Sequence, residues 1–348
     1  MTWTLAGNQI GDLEYDYDGD GRAIEKTGSM AATNLPQPVT GNTFNADNAM
    51  TAFNGTALTY DANGNLTGDG TNTYAWDTRN HLSAITGANT GSFTYDPFGR
   101  RMSKTIGATA TSFLYDGLNP VQELQAGAPS ANLLTGLGID EYFQRTDASG
   151  ASSYLTDALG STLALANSAG GLATSYTYDP FGSTTVSGSS TNPFQFTGRE
   201  NDGTGFYYYR ARYYSSTAQR FVSQDPLGFA GGDKDLYSYV GNQPTALRDP
   251  TGTQAEALCE EYPALCDPSV WWQAIAGAAS AVGGALLGQS CNRGGCRPCD
   301  PPEGTIAHRF DQVPPARPHY PYNGSHYHIR DEAEPAQLSV LLAESGCI

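Results

Sequence analysis

The sequence predicts a mainly β protein of stacked β-hairpins, followed by a small α or irregular C-terminal tail. Three observations predict this. The chain contains 41 Gly and 21 Tyr, a composition typical of short strands joined by tight turns. An aromatic–Asp pair recurs along its first part. All six Cys and four of the five His lie after residue 252, which indicates a chemically different unit there.

The aromatic–Asp pair has a regular spacing. From Tyr60 the steps between pairs are 16, 19 and 20 residues, then 41, about two periods, and then 22. A period of about 20 residues is typical of stacked repeat architectures. The pairs, counting one related Thr–Asp, are Tyr15-Asp16, Tyr60-Asp61, Trp76-Asp77, Tyr95-Asp96, Tyr115-Asp116, Thr156-Asp157 and Tyr178-Asp179.

Each repeat is predicted to form one hairpin. The stretches 95–99 and 178–182 share the sequence Tyr-Asp-Pro-Phe-Gly. In such a turn Pro fixes φ, Gly supplies positive φ and Asp bonds the following backbone. The aromatic residue then stacks on the neighbouring repeat. Glycan binding by these aromatics stays an alternative, and residues 27–57 are either a degenerate repeat or a loop.

The charge balance excludes one class of partner for the repeats. The chain has 18 Lys and Arg against 35 Asp and Glu, a formal net charge of −17. Such a charge repels a phosphate backbone, and the sequence has no block of basic residues. We therefore expect no nucleic-acid binding by the repeat region.

Residues 178–252 resemble the RHS-repeat-associated core domain. The resemblance rests on an ordered series of motifs and extends, through the repeats upstream, over roughly residues 10–252. The motifs are Tyr178-Asp179-Pro180-Phe181-Gly182, Phe196-Thr197-Gly198-Arg199-Glu200, the tyrosine-rich stretch 205–214, 220–228, Gly231-Gly232, 236–240, Asn242-Gln243-Pro244 and Asp249-Pro250-Thr251-Gly252.

The resemblance to RHS/YD-repeat proteins of the polymorphic-toxin type implies three regions. Residues 1–177 would hold YD repeats, 178–252 the core, and 253–348 a variable tail that is a candidate effector. The family's fold implies part of a spiral β-shell with a core plug. This chain has few repeats, so we expect it not to close a shell alone. The implied function is a carrier or encapsulation protein that presents and releases the tail, in interbacterial competition or toxin delivery.

Two Asp-Pro-x-Gly units begin at Asp225 and Asp249. The resemblance implies aspartyl-type autoproteolysis just after the second unit, near the bond Gly252–Thr253. Two carboxylates held close share a proton, so one serves as general base and the other as general acid. The alternative is that both units are turns only. Thr253 stands where family members commonly carry Leu.

Three arginines near these units are candidates to orient a carboxylate or to stabilise an oxyanion. They are Arg210, Arg212 and Arg248. The neighbouring tyrosines of the stretch 205–214 are expected to pack the plug.

The tail contains an uncharged run of 19 residues, 270–288, rich in Ala and Gly. Its length would span a bilayer, with small residues along one helical face. The alternative is a buried or interfacial helix.

A second feature of the tail is its Cys and His content. Cys296, Cys299, His326 and His328 could supply four tetrahedral zinc ligands. Disulfides among the six Cys, or free thiols, are the alternatives. The paired His would suit acid–base work in a nuclease, whereas a small loop-rich domain is the simpler interpretation. No cofactor is expected for the shell.

The expected partners are a secretion apparatus or delivery complex and a cognate immunity protein for the tail. A membrane contact would be made through 270–288. The start shows no Sec signal, so the expected location is secreted or cell-surface by another route, and cytoplasmic before export. Two alternative functions stay open. One is a non-enzymatic β-repeat protein that binds surface glycans or proteins, and the other is a truncated orphan fragment.

Overall fold

The computed structural model describes residues 1–5, 7–17, 23–257, 306–309 and 327–330. The chain divides into two units, Met1–Trp271 and Trp272–Ile348. In the described residues nearly all regular structure is β, with one-turn 3-10 helices at Phe196–Gly198, Gly228–Gly231 and Val240–Asn242. The predicted mainly β fold is therefore confirmed.

The strands are short, as the repeat spacing predicts. In chain order they are β1 Thr2–Leu5, β2 Asn8–Asp12, β3 Glu14–Tyr17, β4 Ala23–Thr27, β5 Thr43–Phe44, β6 Met50–Phe53, β7 Thr56–Ala57, β8 Thr59–Tyr60, β9 Leu66–Gly68, β10 Asn72–Trp76, β11 Leu82–Gly87, β12 Gly91–Tyr95, β13 Arg101–Ile106, β14 Thr109–Asp116, β15 Asn119–Gln125, β16 Ala128–Thr135, β17 Tyr142–Asp147, β18 Gly150–Thr156, β19 Thr162–Asn167, β20 Leu172–Tyr178, β21 Thr184–Gly188, β22 Glu200–Asn201, β23 Tyr207–Tyr209, β24 Arg212–Ser215, β25 Arg220–Phe221, β26 Leu247–Arg248, β27 Glu256–Ala257, β28 Ile306–Arg309 and β29 Tyr327–Arg330.

One sheet dominates the first unit. Its fourteen strands, β8 to β21, lie in sequence order, so every strand pairs with its neighbours along the chain. All of these pairs are antiparallel, as expected for strands joined by tight turns. The predicted row of stacked hairpins is this sheet.

The repeated Asp closes the turn in five of the repeats. Its Oδ1 accepts the backbone N–H of the residue four positions later, at 2.8–2.9 Å. A residue in the left-handed region stands three positions after it; at Gly99, for example, φ is +85°. The five aspartates are Asp61, Asp77, Asp96, Asp157 and Asp179.

The aromatic residue of the pair links one repeat to the one before it. Tyr95 Oη donates to the carbonyl of Leu82 at 2.7 Å, five residues after the turn Asp of the preceding repeat. Trp76, Tyr115 and Tyr178 donate in the same way to carbonyls five residues after Asp61, Asp96 and Asp157. The aromatic thus supplies a hydrogen bond between hairpins as well as the apolar surface that the sequence suggests.

The tyrosine-rich stretch forms a second layer against the large sheet. Its strands β23 and β24, together with β22 and β25, make a four-stranded antiparallel sheet, called the core sheet. Because side chains alternate along a strand, Tyr208 packs with Leu82 and Phe93 in one cluster. Tyr207 and Tyr209 pack in another cluster, with residues from strands β16 to β20.

Smaller sheets complete the first unit. Hairpins β1–β2 and β3–β4 lie at the start of the chain, and β5, β6 and β7 form a three-stranded sheet. Residues 27–57, expected to be a degenerate repeat or a loop, therefore carry strands outside the large sheet.

The tail is described only in part. Strands β28 and β29 pair as an antiparallel hairpin. The apolar run 270–288, Cys296, Cys299 and His326 lie outside the described residues, and His328 lies in β29. In the described part of the chain, no helix is long and apolar enough to cross a membrane.

Candidate active site

The two Asp-Pro-x-Gly units open onto one pocket. It has a volume of about 480 Å³ and is lined by both aspartates and by the chain that follows the second unit. Its charged and adjoining residues include Arg212, Asp225, Asp249, Thr253 and Gln254.

The turn between β23 and β24 supports the second unit. The backbone N–H of Ala211 donates to the carbonyl of Thr251 at 3.1 Å. Gly252 has φ +73°, and a Cβ on it would lie 2.0 Å from the carbonyl oxygen of Tyr209. Only glycine fits this close approach, so the peptide after Gly252 is pressed onto the core sheet.

Asp225 is both a turn residue and a pocket residue. Its Oδ1 accepts the N–H of Leu227 at 2.8 Å, and its carbonyl accepts the N–H of Gly228 at 2.9 Å. The other carboxylate oxygen, Oδ2, lies 2.9 Å from Nη2 of Arg212. The turn therefore leaves one carboxylate oxygen available to the pocket.

Asp249 binds the backbone at the start of the tail. Its Oδ1 accepts the backbone N–H groups of Gly252 at 2.8 Å, Thr253 at 3.0 Å and Gln254 at 3.2 Å. Its Oδ2 lies 3.4 Å from Nη2 of Arg212. Asp249 thus fixes the peptide bond Gly252–Thr253 from the nitrogen side.

Arg212 joins both aspartates to the same peptide bond. One nitrogen, Nη2, contacts both carboxylates, while Nε donates to the carbonyl oxygen of Gly252 at 2.5 Å. The guanidinium lies over the ring of Phe221, 3.6 Å from its centroid. The aromatic face and these bonds hold the guanidinium in one orientation.

Gly231 covers the pocket from the opposite loop. A Cβ on this residue would lie 2.7 Å from Oδ2 of Asp225 and 3.0 Å from the carbonyl oxygen of Thr253. The loop therefore approaches both the first carboxylate and the tail more closely than a larger residue permits.

Burial governs the electrostatics of this site. It raises the pKa of the Asp249 carboxyl, against the opposing effects of Arg212 and of the backbone N–H donors. Burial also raises the pKa of Asp225, again against Arg212. For Arg212, burial lowers the pKa in spite of the two carboxylates. All three groups are therefore shifted toward their neutral forms.

The other two predicted arginines have different main partners. Arg210 donates to both carboxylate oxygens of Asp140, at 2.7 and 2.9 Å, and also to the carbonyl oxygen of Pro250 in the second unit. Arg248 lies in β26, opposite Glu256 of β27. Of the three candidates, Arg212 is the one that contacts both aspartates.

The two carboxyl groups meet through Arg212. In the described part of the chain no hydrogen bond joins Asp225 to Asp249 directly. Their common contact is Nη2 of Arg212. Both units are turns, as the alternative interpretation holds, and both also face one guanidinium. The roles of the predicted site residues stay predictions.

Sequence reasoning missed Thr251. Its Oγ1 donates to Oδ1 of Asp249 at 3.3 Å and lies 2.8 Å from Oγ1 of Thr253. Asp and Thr side chains at turns commonly make local hydrogen bonds. The Asp-x-Thr spacing was therefore a signal that could have found it.

Metal ligands are not apparent in what the structure describes. Among those residues, no group of three or more His, Cys, Asp or Glu is arranged to hold a metal ion. The predicted zinc ligands Cys296, Cys299 and His326 fall outside them, so the zinc site stays a prediction.

Known proteins share sequence similarity with this chain. Residues 4–230 match the model of the Teneurin YD-shell family. The tRNA nuclease WapA of Bacillus subtilis is 31% identical over 268 residues, which cover 69% of this chain and 11% of WapA. Toxin subunit YenC2 of Yersinia entomophaga is 40% identical over 81 residues, covering 22% of this chain and 8% of that protein. Toxin protein Tse5 of Pseudomonas aeruginosa is 49% identical over 61 residues, covering 17% and 5%.

Solved structures share the fold. The Tc holotoxin pore of Photorhabdus luminescens has a TM-score of 0.51 at 20% identity, covering 72% of this chain and 17% of the compared chain. TcdB2-TccC3 without its hypervariable C-terminal region has a TM-score of 0.50 at 21% identity, covering 71% and 17%.

A sheet of YD hairpins packed on a tyrosine-rich core defines an RHS/YD-repeat shell protein. The chain belongs to the Teneurin YD-shell family. It spans 11% of the length of WapA.

Proposed function

We propose that this chain is the carrier part of an RHS-family toxin and cuts itself at the bond Gly252–Thr253. The proposal rests on one observation above all. Arg212 holds the carbonyl oxygen of this bond, and Asp249 accepts the N–H of the same bond. Both polar ends of the peptide are thus held by groups that assist acyl transfer.

Each group has a role in this proposal. Arg212 stabilises the oxyanion that forms on Gly252 when the carbonyl is attacked. Asp249 delivers a proton to the departing nitrogen of Thr253. Asp225 acts as the base for a water molecule in the pocket that it lines. Burial raises the pKa of both carboxyls, which makes each of them a better proton acceptor than an exposed aspartate.

Release of the tail is the purpose of this cleavage. Residues 253–348 would leave as an effector, as the toxin names of the relatives suggest. A secretion apparatus or delivery complex would export the protein, and an immunity protein would protect the producing cell. The target of the tail is a separate question, since relatives of this family carry several activities in their names.

Intact-mass measurement of the purified full chain tests the proposal. The wild type should give two products, residues 1–252 and 253–348, whereas Asp249→Asn should stay as one chain. Asp116→Asn, at an exposed aspartate that ends strand β14, is the matched control and should cleave like the wild type. A wild type that stays intact, with the same mass profile as Asp249→Asn, would contradict self-cleavage.

A further inference from the structure

The residue after the scissile bond carries a hydroxyl that the proposed function does not use. We propose that Oγ1 of Thr253 is the nucleophile of the self-cleavage and attacks the carbonyl carbon of Gly252. The inference rests on the proposed function. It adds a covalent ester intermediate in place of direct attack by water on the amide.

A route for the hydroxyl proton is present. Oγ1 of Thr253 lies 2.8 Å from Oγ1 of Thr251. That hydroxyl donates in turn to Oδ1 of Asp249 at 3.3 Å. Two hydroxyls therefore connect the nucleophile to a buried carboxylate, which is the arrangement that activates a serine or threonine.

The electrophile is held in place beside this nucleophile. Oγ1 of Thr253 can reach the preceding carbonyl carbon by closing a five-membered ring through its own Cβ, Cα and N. Arg212 Nε lies 2.5 Å from the carbonyl oxygen of Gly252 and would stabilise the oxyanion. The close packing of Gly252 on Tyr209 restricts the peptide to one geometry.

The first step is an acyl shift in which all atoms balance. Oγ1 of Thr253 bonds to the carbonyl carbon, and its proton passes through Thr251 to Asp249. The C–N bond then breaks as Asp249, whose Oδ1 lies 3.0 Å from that nitrogen, returns the proton to it. The product is an ester between Gly252 and Thr253 with a free α-amino group.

The second step is hydrolysis of this ester. A water molecule in the pocket loses a proton to Asp225 and attacks the ester carbonyl. The C–Oγ1 bond breaks as Asp225 returns this proton to Oγ1 of Thr253, and the carboxylic acid formed on Gly252 releases its own proton to solvent. Asp225 lines the pocket beside Thr253, as this step requires.

The pocket side chains make the ester detectable. Asp225→Asn should block hydrolysis but allow the acyl shift, so the ester should accumulate. Hydroxylamine, which attacks esters at neutral pH, should then split the Asp225→Asn chain and leave a hydroxamate on Gly252. Asp225→Asn combined with Thr253→Val should give no such product, because Val keeps the shape of Thr without its hydroxyl.

The full-length chain with single substitutions at residue 253 completes the test. Thr253→Ser should cleave between residues 252 and 253, and Thr253→Val and Thr253→Ala should lose cleavage. Cleavage of Thr253→Val at the wild-type rate would overturn the inference and leave the proposed function standing. A released fragment that starts at Gln254 would also overturn it, and so would Asp225→Asn giving no hydroxamate. A wild type that never cleaves would refute the proposed function itself.

Discussion

Arg101 and Arg212 are both buried and both contact two carboxylates, but their pKa values shift in opposite directions. Burial lowers the pKa of Arg101, yet Asp202 and Glu200 outweigh it and raise that pKa well above its usual value. For Arg212 burial prevails over its two carboxylates and the pKa falls.

The Arg101 cluster is balanced in charge. Arg101 lies 2.5 Å from Asp202 and 2.6 Å from Glu200, and Lys104 lies 2.9 and 2.7 Å from the same two carboxylates. Burial alone would raise the pKa of Asp202, but the two cations lower it. Two cations and two carboxylates thus tie the large sheet to the core sheet.

The Arg212 cluster has one cation for two carboxylates. Both carboxyl groups have raised pKa values, so one proton is more readily held or exchanged there. The ratio of cations to carboxylates therefore distinguishes the two clusters. This difference predicts that removal of Arg101 and removal of Arg212 will have different costs in stability.

The largest effect is expected at Arg101. In a chain carrying Asp249→Asn to prevent cleavage, Arg101→Met should lower the free energy of unfolding by about 3–5 kcal/mol, because it leaves Asp202 and Glu200 buried with one cation. Guanidinium chloride denaturation measures this. Lys234→Met, at an exposed position, is the control and should stay within about 0.5 kcal/mol. A loss at Arg101 no larger than at Lys234 would contradict the structural role.

A smaller effect is expected at Arg212. In the same background, Arg212→Met should cost about 1–2 kcal/mol, the loss of hydrogen bonds to the carbonyls of Gly252 and Leu236. Asp225 is the carboxylate of the pair that remains in this background, and water in the pocket can solvate it. A cost equal to that of Arg101→Met would remove the distinction between the two clusters.

The repeat could be predicted from the sequence because its signals are local. The turn formed by Asp96 through Arg100 follows from Asp, Pro and Gly at fixed positions. The ion pair of Arg101 with Asp202 could not be predicted, because it joins residues about a hundred positions apart and depends on how two sheets pack.

Part of the candidate site could also be predicted, because the Asp-Pro-x-Gly units are local signals. Asp225 and Asp249 were identified from the repeated Asp-Pro-x-Gly units. Arg210 and Arg212 could not be told apart. In the turn between β23 and β24, Arg210 adopts φ +56° and pairs with Asp140, whereas Arg212 enters the pocket. Side chains alternate between the two faces of a strand, but this rule does not predict their direction across a turn, where Arg210 lies.

The two clusters should also respond to different ranges of pH. The pKa of Asp202 is lowered in the fold, so its stabilising effect is present above the ordinary Asp value and is lost only as pH falls through the lowered value. The raised pKa values of Asp225 and Asp249 place their protonation above that ordinary value. Because protonated Asp225 cannot act as the base, cleavage should stop on acidification before the fold is lost.

The rate of cleavage against pH tests the account most directly. Chains made by pulse-labelled cell-free translation are moved to buffers of different pH, and the appearance of residues 1–252 is followed while circular dichroism reports the fold. We expect the rate to fall on the acid side with a midpoint above the ordinary Asp pKa of about 3.9, while the β signal is unchanged. A rate that stays constant down to about pH 4, or falls only where the β signal is lost, would contradict the claim that buried carboxylates with raised pKa values drive the reaction.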